Sequence, residues 1–221
     1  MDHTLKVLST AGVTHDVCRI RLEKPEGFEF VPGQAADVAL NRSGWTEEKR
    51  PFTFTCLNGD PYLEFTIKCY MDHDGVTRQI ASLVAGDELI ISDPWGAISY
   101  QGTGYFIAGG AGITPFMAIL RQLHQEGRLK GNKLFFSNKT AQDIIYEGEL
   151  EAMLGDDAVF IVTQEKDGPY PHDFIDDRFL DTHITDFKKP IYICGPDPMV
   201  EHLSSVTIKK GADPHAVVFE K

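Results

Sequence analysis

Tyr105-Phe106-Ile107-Ala108-Gly109-Gly110-Ala111-Gly112-Ile113-Thr114-Pro115 decides the fold. The apolar run suits a buried strand, the glycines break it, and Thr114 and Pro115 suit the N-cap and first position of a helix, where proline's missing N–H costs nothing. Phe116, Ile119, Leu120 and Leu123 then recur at i, i+3, i+4 and i+7, the apolar face of that helix. Gly109, Gly110 and Gly112 let backbone N–H groups approach a pyrophosphate and let the chain take positive φ, which describes a phosphate cradle. No Lys-Ser or Lys-Thr pair follows the last glycine, as a Walker loop requires, and Pro115 stands where the third glycine of G-x-G-x-x-G belongs. A ligand-free strand-to-helix turn fits the same residues, so partners elsewhere must decide between the two.

Downstream of this stretch, strand and helix patterns alternate. Strands are expected at 105–108, 133–137, 158–163, 190–193 and 215–219, with helices from Pro115, near 146–153, near 174–179 and from Pro198. Such alternation predicts a doubly wound parallel sheet. Upstream, Cys18, Ile20 and Leu22 alternate with Arg19, Arg21 and Glu23, and Leu63, Phe65, Ile67 and Cys69 alternate with Glu64, Thr66 and Lys68, so each strand is expected to keep one wet face. Further strands at 35–40 and 88–92, bounded by Pro32-Gly33, Gly86-Asp87 and Asp93-Pro94-Trp95-Gly96, predict a small antiparallel barrel. One helix is expected in this half, after Asp74-Gly75, carrying Ile80, Leu83 and Val84 up to Gly86. Residues 100–104 form a linker, giving domains over 1–100 and 101–221.

With 221 residues, 42% of them hydrophobic, the chain can build two cores. No run approaches the ~18 to 20 apolar residues of a membrane span, and no basic segment precedes an apolar one at the start, so a cytoplasmic location is expected. Cys18, Cys56, Cys69 and Cys194 form no C-x-x-C pair and no cluster for zinc or iron–sulfur, and are expected to be isolated reduced thiols, with no metal site and no iron–sulfur domain in these residues. A net charge of −12 disfavours nucleic acid and anionic membranes as partners.

Three further stretches carry chemistry. Cys194-Gly195-Pro196-Asp197-Pro198-Met199 places a thiol at a strand tip, a glycine that permits close approach and a proline that starts a helix; a buried cysteine on an ordinary loop fits equally. Arg50-Pro51-Phe52-Thr53 combines a guanidinium for a pyrophosphate, an aromatic plate for a ring system and a hydroxyl for a ring nitrogen, the groups a flavin nucleotide needs, although an ordinary strand with an exposed arginine has the same sequence. Asp74-Gly75-Val76-Thr77 is either a turn with an N-cap or a set of amides for a phosphate.

In this order the stretches resemble the ferredoxin–NADP reductase family: an R-x-Y-S flavin motif, a glycine-and-hydroxyl motif, G-G-x-G-I-T-P and C-G-P-x-x-M. Pro32-Gly33-Gln34 and Asp93-Pro94-Trp95-Gly96 look like its barrel landmarks, and the resemblance covers nearly the whole chain. It implies an N-terminal antiparallel β-barrel that binds flavin, followed by a doubly wound nucleotide-binding α/β domain. FAD, in preference to FMN, would be held by Arg50, Pro51, Phe52 and Thr53, by Ile67 and Lys68, by Gly75, Val76 and Thr77, and by Phe219. The nicotinamide dinucleotide would lie on Gly110, Ala111, Gly112, Ile113, Thr114 and Pro115, with Ser137 and Lys139 beyond them. Thr53, near the reactive flavin nitrogen, and Cys194, facing the nicotinamide beside Gly195, Pro196, Asp197 and Met199, are the implied catalytic pair. Phe52 and Thr53 replace the family's usual Tyr and Ser, and Val217-Val218-Phe219-Glu220-Lys221 stops without the terminal Tyr or Trp that covers the flavin in many members.

The activity so implied is hydride transfer from NADH or NADPH to FAD, then release of single electrons to a separate acceptor such as flavodoxin or ferredoxin, with a haem protein as an alternative. A local basic patch would have to overcome the acidic balance to receive an acidic carrier. Free flavin or ferric chelates are alternative acceptors, and a non-catalytic electron-transfer or nucleotide-sensing subunit is the alternative outside enzymes. NADH is the expected coenzyme. A 2′-phosphate calls for Arg or Lys beyond the second strand of the nucleotide sheet, where Ser137-Asn138-Lys139-Thr140 offers only Lys139, Asp143 follows, and no Arg occurs between Arg128 and Arg178. Residues 138–144 also look like those of the NADH-using cytochrome reductases of the family.

Overall fold

The computed structural model describes residues 1–72, 74–96 and 98–213, and the backbone of Val217 and Val218. Strands β1 (Asp2–Thr14), β2 (Val17–Glu23), β3 (Ala35–Leu40), β4 (Arg50–Thr53), β5 (Tyr62–Lys68) and β6 (Glu88–Ser92) form an antiparallel sheet in the order β4-β3-β6-β1-β2-β5. A bridge between Phe54 and Phe65, with the Thr55 N–H donating to the Glu64 carbonyl at 2.9 Å, joins the two edges and closes a barrel. Its core is what the alternation demands: Ile20, Leu22, Leu63, Phe65 and Ile67 all point inward and are buried. Closure leaves no long edge open to a second chain.

The sequence pattern missed β1, whose inward Leu5 and Val7 are followed by a weak Ser-Thr-Ala-Gly run. It is continuous because its first part pairs with β6 and its second with β2, with register shifts between Val7 and Ser9 and between Gly12 and Thr14. Two expectations are corrected. Helix α1 spans only Val76–Ile80; beyond it Ser82 and Leu83 donate to Gln79 and Ile80 in tight turns, Leu83 is buried and Val84 is exposed. The outer face of β5 is not wet, for Glu64 and Thr66 are 2% and 5% exposed. The second half of the chain covers them.

That half holds a parallel sheet of β7 (Tyr105–Gly109), β8 (Lys133–Asn138), β9 (Ala158–Val162), β10 (Ile191–Cys194) and β11 (Val217–Val218), in the order β11-β10-β7-β8-β9. Helices α2 (Thr114–Gln125) and α3 (Glu147–Leu154) cover one face and α4 (Asp177–His183) and α5 (Asp197–Lys209) the other. Phe106, Phe116, Phe136 and Leu150 fill the first interface, which also takes in Val17 and Ile98 from the barrel side; Ile107, Phe135, Phe179 and Leu203 fill the second. α4 starts later than the apolar pattern suggests, because the Asp176 carboxylate accepts from the Phe179 N–H at 2.8 Å as its cap while Phe174 faces solvent. Of the last expected strand, residues 215, 216 and 219 lie outside the described residues.

Strand order reverses between β7 and β10, which makes the crevice beyond their carboxyl ends the place for a ligand. Among the described residues no helix is long and apolar enough to cross a membrane. The four cysteines are not joined in disulfides but are not all isolated: burial, together with the neighbouring Cys18, pushes the Cys69 thiol up to about 12.

Candidate functional site

β7 runs into the crevice as Gly109, turns through one 3-10 stretch, Gly110–Ile113, and continues as α2. Thr114 is therefore the first helical residue and not the cap. Its hydroxyl donates back to the Ala111 carbonyl at 3.0 Å, and Pro115 follows within the first turn, where no N–H is needed. Ile113 packs fully buried in the core and does not face the crevice. The glycines divide their work. Gly110 alone in this loop takes positive φ, +53°, with open space where a Cβ would stand, whereas a Cβ on Gly109 would lie 2.7 Å from Met199 Sδ and one on Gly112 would run into the Cys194 carbonyl. Gly109 and Gly112 thus lock the loop against the end of β10, and Gly110 leaves the backbone open to the crevice.

The crevice is a cavity of about 780 Å³ between the barrel and the parallel sheet. Pro51, Phe52 and Thr53 of β4, Ile67 and Lys68 of β5 and Thr77 line its barrel side. Gly110, Ala111, Gly112, Thr114 and Pro115 face them, with Ser137 and Lys139 at one end and Cys194, Gly195, Pro196 and Met199 at the other. Register explains the meeting: Gly109 pairs with Ser137 and Ala108 with Cys194, so three strand ends open at one level. Arg50, Gly75, Val76 and Asp197 are outside the wall, and Phe219 lies outside the described residues. The Arg50 guanidinium instead donates to the Lys49 carbonyl at 2.7 Å and lies 3.5 Å from Glu48. Thr66, Tyr70, Asn138, Asp143, Thr163 and Gln164 line the cavity without having been singled out as ligand contacts. Thr163 and Gln164 were findable as the carboxyl end of the strand expected over 158–163; their N–H groups extend the β8–β9 pairing by donating at 2.9 Å to the carbonyls of Asn138 and Lys139.

Charge is distributed unevenly around the cavity. Lys68 Nζ lies 2.7 Å from Asp16 Oδ2; burial tends to raise the Asp16 carboxyl, but the hydrogen bond and charge of Lys68 outweigh it and hold that carboxyl below its ordinary value. His15 bridges toward the other half, 3.7 Å from Asp16 and 3.8 Å from Asp143. Asp143 caps the short turn it ends, accepting from the Thr140 N–H at 2.8 Å, and Glu165 accepts from the Ala141 N–H at 2.7 Å. Asp143 thus shares the cavity wall with Lys139, and Glu165 is anchored on the backbone two residues beyond Lys139, outside that wall.

A partly buried polar hub ties the halves together. Arg121 of α2 reaches Glu149 of α3 through Nε at 2.6 Å and Nη2 at 2.8 Å, and Glu64 of β5 through Nη1 at 3.0 Å; the same nitrogen donates to the Thr55 carbonyl. Arg21 holds the other Glu64 oxygen at 2.9 Å. The Arg121 guanidinium lies 5.0 Å from the centre of the Tyr146 ring, and the Tyr146 hydroxyl bonds Thr66 Oγ1 at 2.8 Å. Tyr146 has φ of +57°, the one left-handed non-glycine among the described residues. Burial disfavours the charged Arg121, but Glu149 and Glu64 more than compensate and raise its pKa. No local sequence signal announces this hub, because its members come from four separate segments.

Residues 106–205 match the family model of the oxidoreductase NAD-binding domain. NADH-cytochrome b5 reductase 1 of Pyricularia oryzae is 30% identical over 223 residues, covering 88% of this chain and 70% of that protein. The reductase component of propane 2-monooxygenase from Rhodococcus jostii is 27% identical over 240 residues, covering all of this chain and 63% of the relative. The chain spans between 62% and 66% of the length of the four propane 2-monooxygenase reductase components it matches. In fold it is similar to the ferredoxin NADP+ reductase of Neisseria gonorrhoeae solved with bound FAD and NADP, at a TM-score of 0.86 and 19% identity over 99% of this chain and 98% of the other. The chain belongs to the ferredoxin–NADP reductase family of FAD- and NAD-binding oxidoreductases.

Proposed function

We propose that the protein is a flavin-dependent reductase that takes hydride from a nicotinamide coenzyme and delivers electrons singly to a separate acceptor. One observation carries this reading: a single cavity holds an aromatic plate (Phe52), a 7% exposed hydroxyl (Thr53), a glycine loop opening at a helix start and a strand-tip thiol (Cys194). Those groups fit FAD and a nicotinamide dinucleotide lying face to face. Bound FAD supplies the chemistry, accepting two electrons as hydride and releasing them one at a time. Phe52 backs the ring system, Thr53 offers a hydrogen bond to a ring nitrogen, and the open backbone at Gly110 receives a diphosphate. Cys194 and Met199, which line the far side of the cavity, would hold the nicotinamide there and limit its access to water, so the residues would work by positioning and none need act as a base. The purified protein should be yellow, release FAD on denaturation and lose its flavin absorbance when NADH is mixed in a stopped-flow cell. Uptake of neither FAD nor FMN by the apoprotein would end this reading, and bound flavin without turnover of ferricyanide would favour a sensing subunit.

Coenzyme preference belongs to the same reading. Among the described residues Lys139 is the one Lys or Arg at that end of the cavity wall and shares the wall with the Asp143 carboxylate, so no cationic fork meets a 2′-phosphate, which supports NADH. A kcat/KM ratio favouring NADPH by more than about tenfold, roughly 1.4 kcal/mol, would reverse it. As acceptor we favour a protein partner of the kind served by the relatives, whose names make them reductase components of propane monooxygenase and of naphthalene dioxygenase, or cytochrome b5 reductases. A cytoplasmic location, where thiols stay reduced, accords with four cysteines that are not joined in disulfides.

A further inference from the structure

β8 carries an asparagine just before its first residue and another at its last, and the two differ in what surrounds them. Asn132 is fully buried and satisfied: its Oδ1 accepts from the Gly104 N–H at 3.0 Å and its Nδ2 donates to the Leu129 carbonyl at 3.1 Å. Asn138 is 4% exposed and both its Oδ1 and its Nδ2 lack any hydrogen-bond partner. A buried carboxamide with neither half paired is costly, so the fold retains it against its own stability. The backbone gives no reason for asparagine, since the Asn138 carbonyl accepts from the Thr163 N–H in ordinary strand fashion and φ is not left-handed.

Its position supplies the reason. Asn138 belongs to the cavity wall, one residue past the level where Gly109 pairs with Ser137, and shares that wall with Thr114, Pro115, Asp143 and Ile145. By strand alternation it lies on the same face of the sheet as Phe136, the face that packs α2 and meets the barrel. We infer that the Asn138 carboxamide is a ligand-binding group that the cavity holds in reserve, pairing through one donor and one acceptor with vicinal hydroxyls of a ribosyl segment of the bound dinucleotide. The diphosphate lies on the glycine loop in the reading above, on which this inference rests, and the sugar hydroxyls next to it are the ligand groups that offer donor and acceptor together. A ligand then satisfies what the empty fold leaves unsatisfied, which couples binding to relief of a buried polar cost.

Replacing Asn138 by Leu, similar in size and apolar, tests this with two readouts of opposite sign. Thermal stability without ligand should rise, by about 2–4 °C, because the unpaired polar atoms are gone. Affinity for the dinucleotide should fall about five- to fiftyfold. Isothermal titration with NADH, with ADP-ribose and with reduced nicotinamide mononucleotide separates the two coenzyme sugars, and FAD affinity of the apoprotein covers the ribityl chain. Loss with NADH, ADP-ribose or reduced nicotinamide mononucleotide supports the inference and names the sugar, whereas loss confined to FAD places the carboxamide at the flavin and overturns it. Affinities within twofold for all four overturn it, as does a fall in stability, which would mean that the carboxamide is paired inside the protein. Asn138→Ala serves if the Leu variant does not fold, with the same affinity criterion. Should the unaltered protein bind none of the four, the proposed function fails with it; binding unchanged by substitution sinks only the role of Asn138.

Discussion

At the scale of single residues the cavity separates groups that touch a ligand from groups that hold those groups. Cys194 sits half-buried at the end of β10 beside Gly112 and lines the cavity. Cys194→Ala should slow flavin reduction by NADH about tenfold, with flavin content unchanged, because the lost atoms allow the nicotinamide to shift from its reacting distance; an unchanged stopped-flow rate would make it a packing residue. Asp16 is a supporting residue. Its folded-state carboxyl lies below the ordinary value of 3.8, so its pairing with Lys68 adds stability that is present above that pH and is lost as pH falls below it. Asp16→Asn should accordingly lower stability by about 0.5 kcal/mol at pH 7, and the gap to the unaltered protein should close toward pH 3 in denaturant titrations. Thr53, Cys194 and Phe52 were legible as candidates from single letters because their chemistry is intrinsic to the side chain, and all three line the cavity. Arg50 stands outside the cavity wall, since a long side chain at a strand start has several partners and here takes the Lys49 carbonyl.

Elements show the same division. Strands β2, β3 and β6 stand where alternation puts them, and the parallel sheet follows from apolar runs separated by helical periods. Periodicity is a property of one segment, so it could not reveal that β5 is buried on both faces, that α1 stops at Ile80 or that α2 is entered through a 3-10 turn. Those outcomes depend on neighbours. The glycine loop gives a test in which neighbours and conformation part company. Gly110→Ala faces open space and only a left-handed φ, and should cost about 1–2 kcal/mol. Gly112→Ala has no positive φ but drives a methyl into the Cys194 carbonyl, and should cost about 3 kcal/mol or leave the protein insoluble. Urea midpoints of the two variants in the opposite order would mean that the loop can move off β10.

For the whole molecule the Arg121 hub is the joint that a sequence reader cannot see, because Thr55, Glu64, Arg121, Tyr146 and Glu149 become neighbours only when both sheets are in place. Arg121→Met should destabilise the protein by about 3 kcal/mol, since it strands the buried Glu64 oxygen and the Thr55 carbonyl. Adding Glu64→Gln should cost less than the two single losses together, and a double-mutant cycle by urea unfolding measures the difference. The hub also sets a timetable. All six barrel strands have been synthesised by Ser92, but the last of the groups that cover β5, Glu149, follows roughly 60 residues later, about 3 to 12 seconds at ordinary elongation rates. During that interval the nascent barrel carries a bare face containing Glu64, Thr66 and the Thr55 carbonyl. A ribosome-bound chain stalled before Arg121 should therefore be cut by protease around β5, while one stalled after α3 has cleared the exit tunnel should resist.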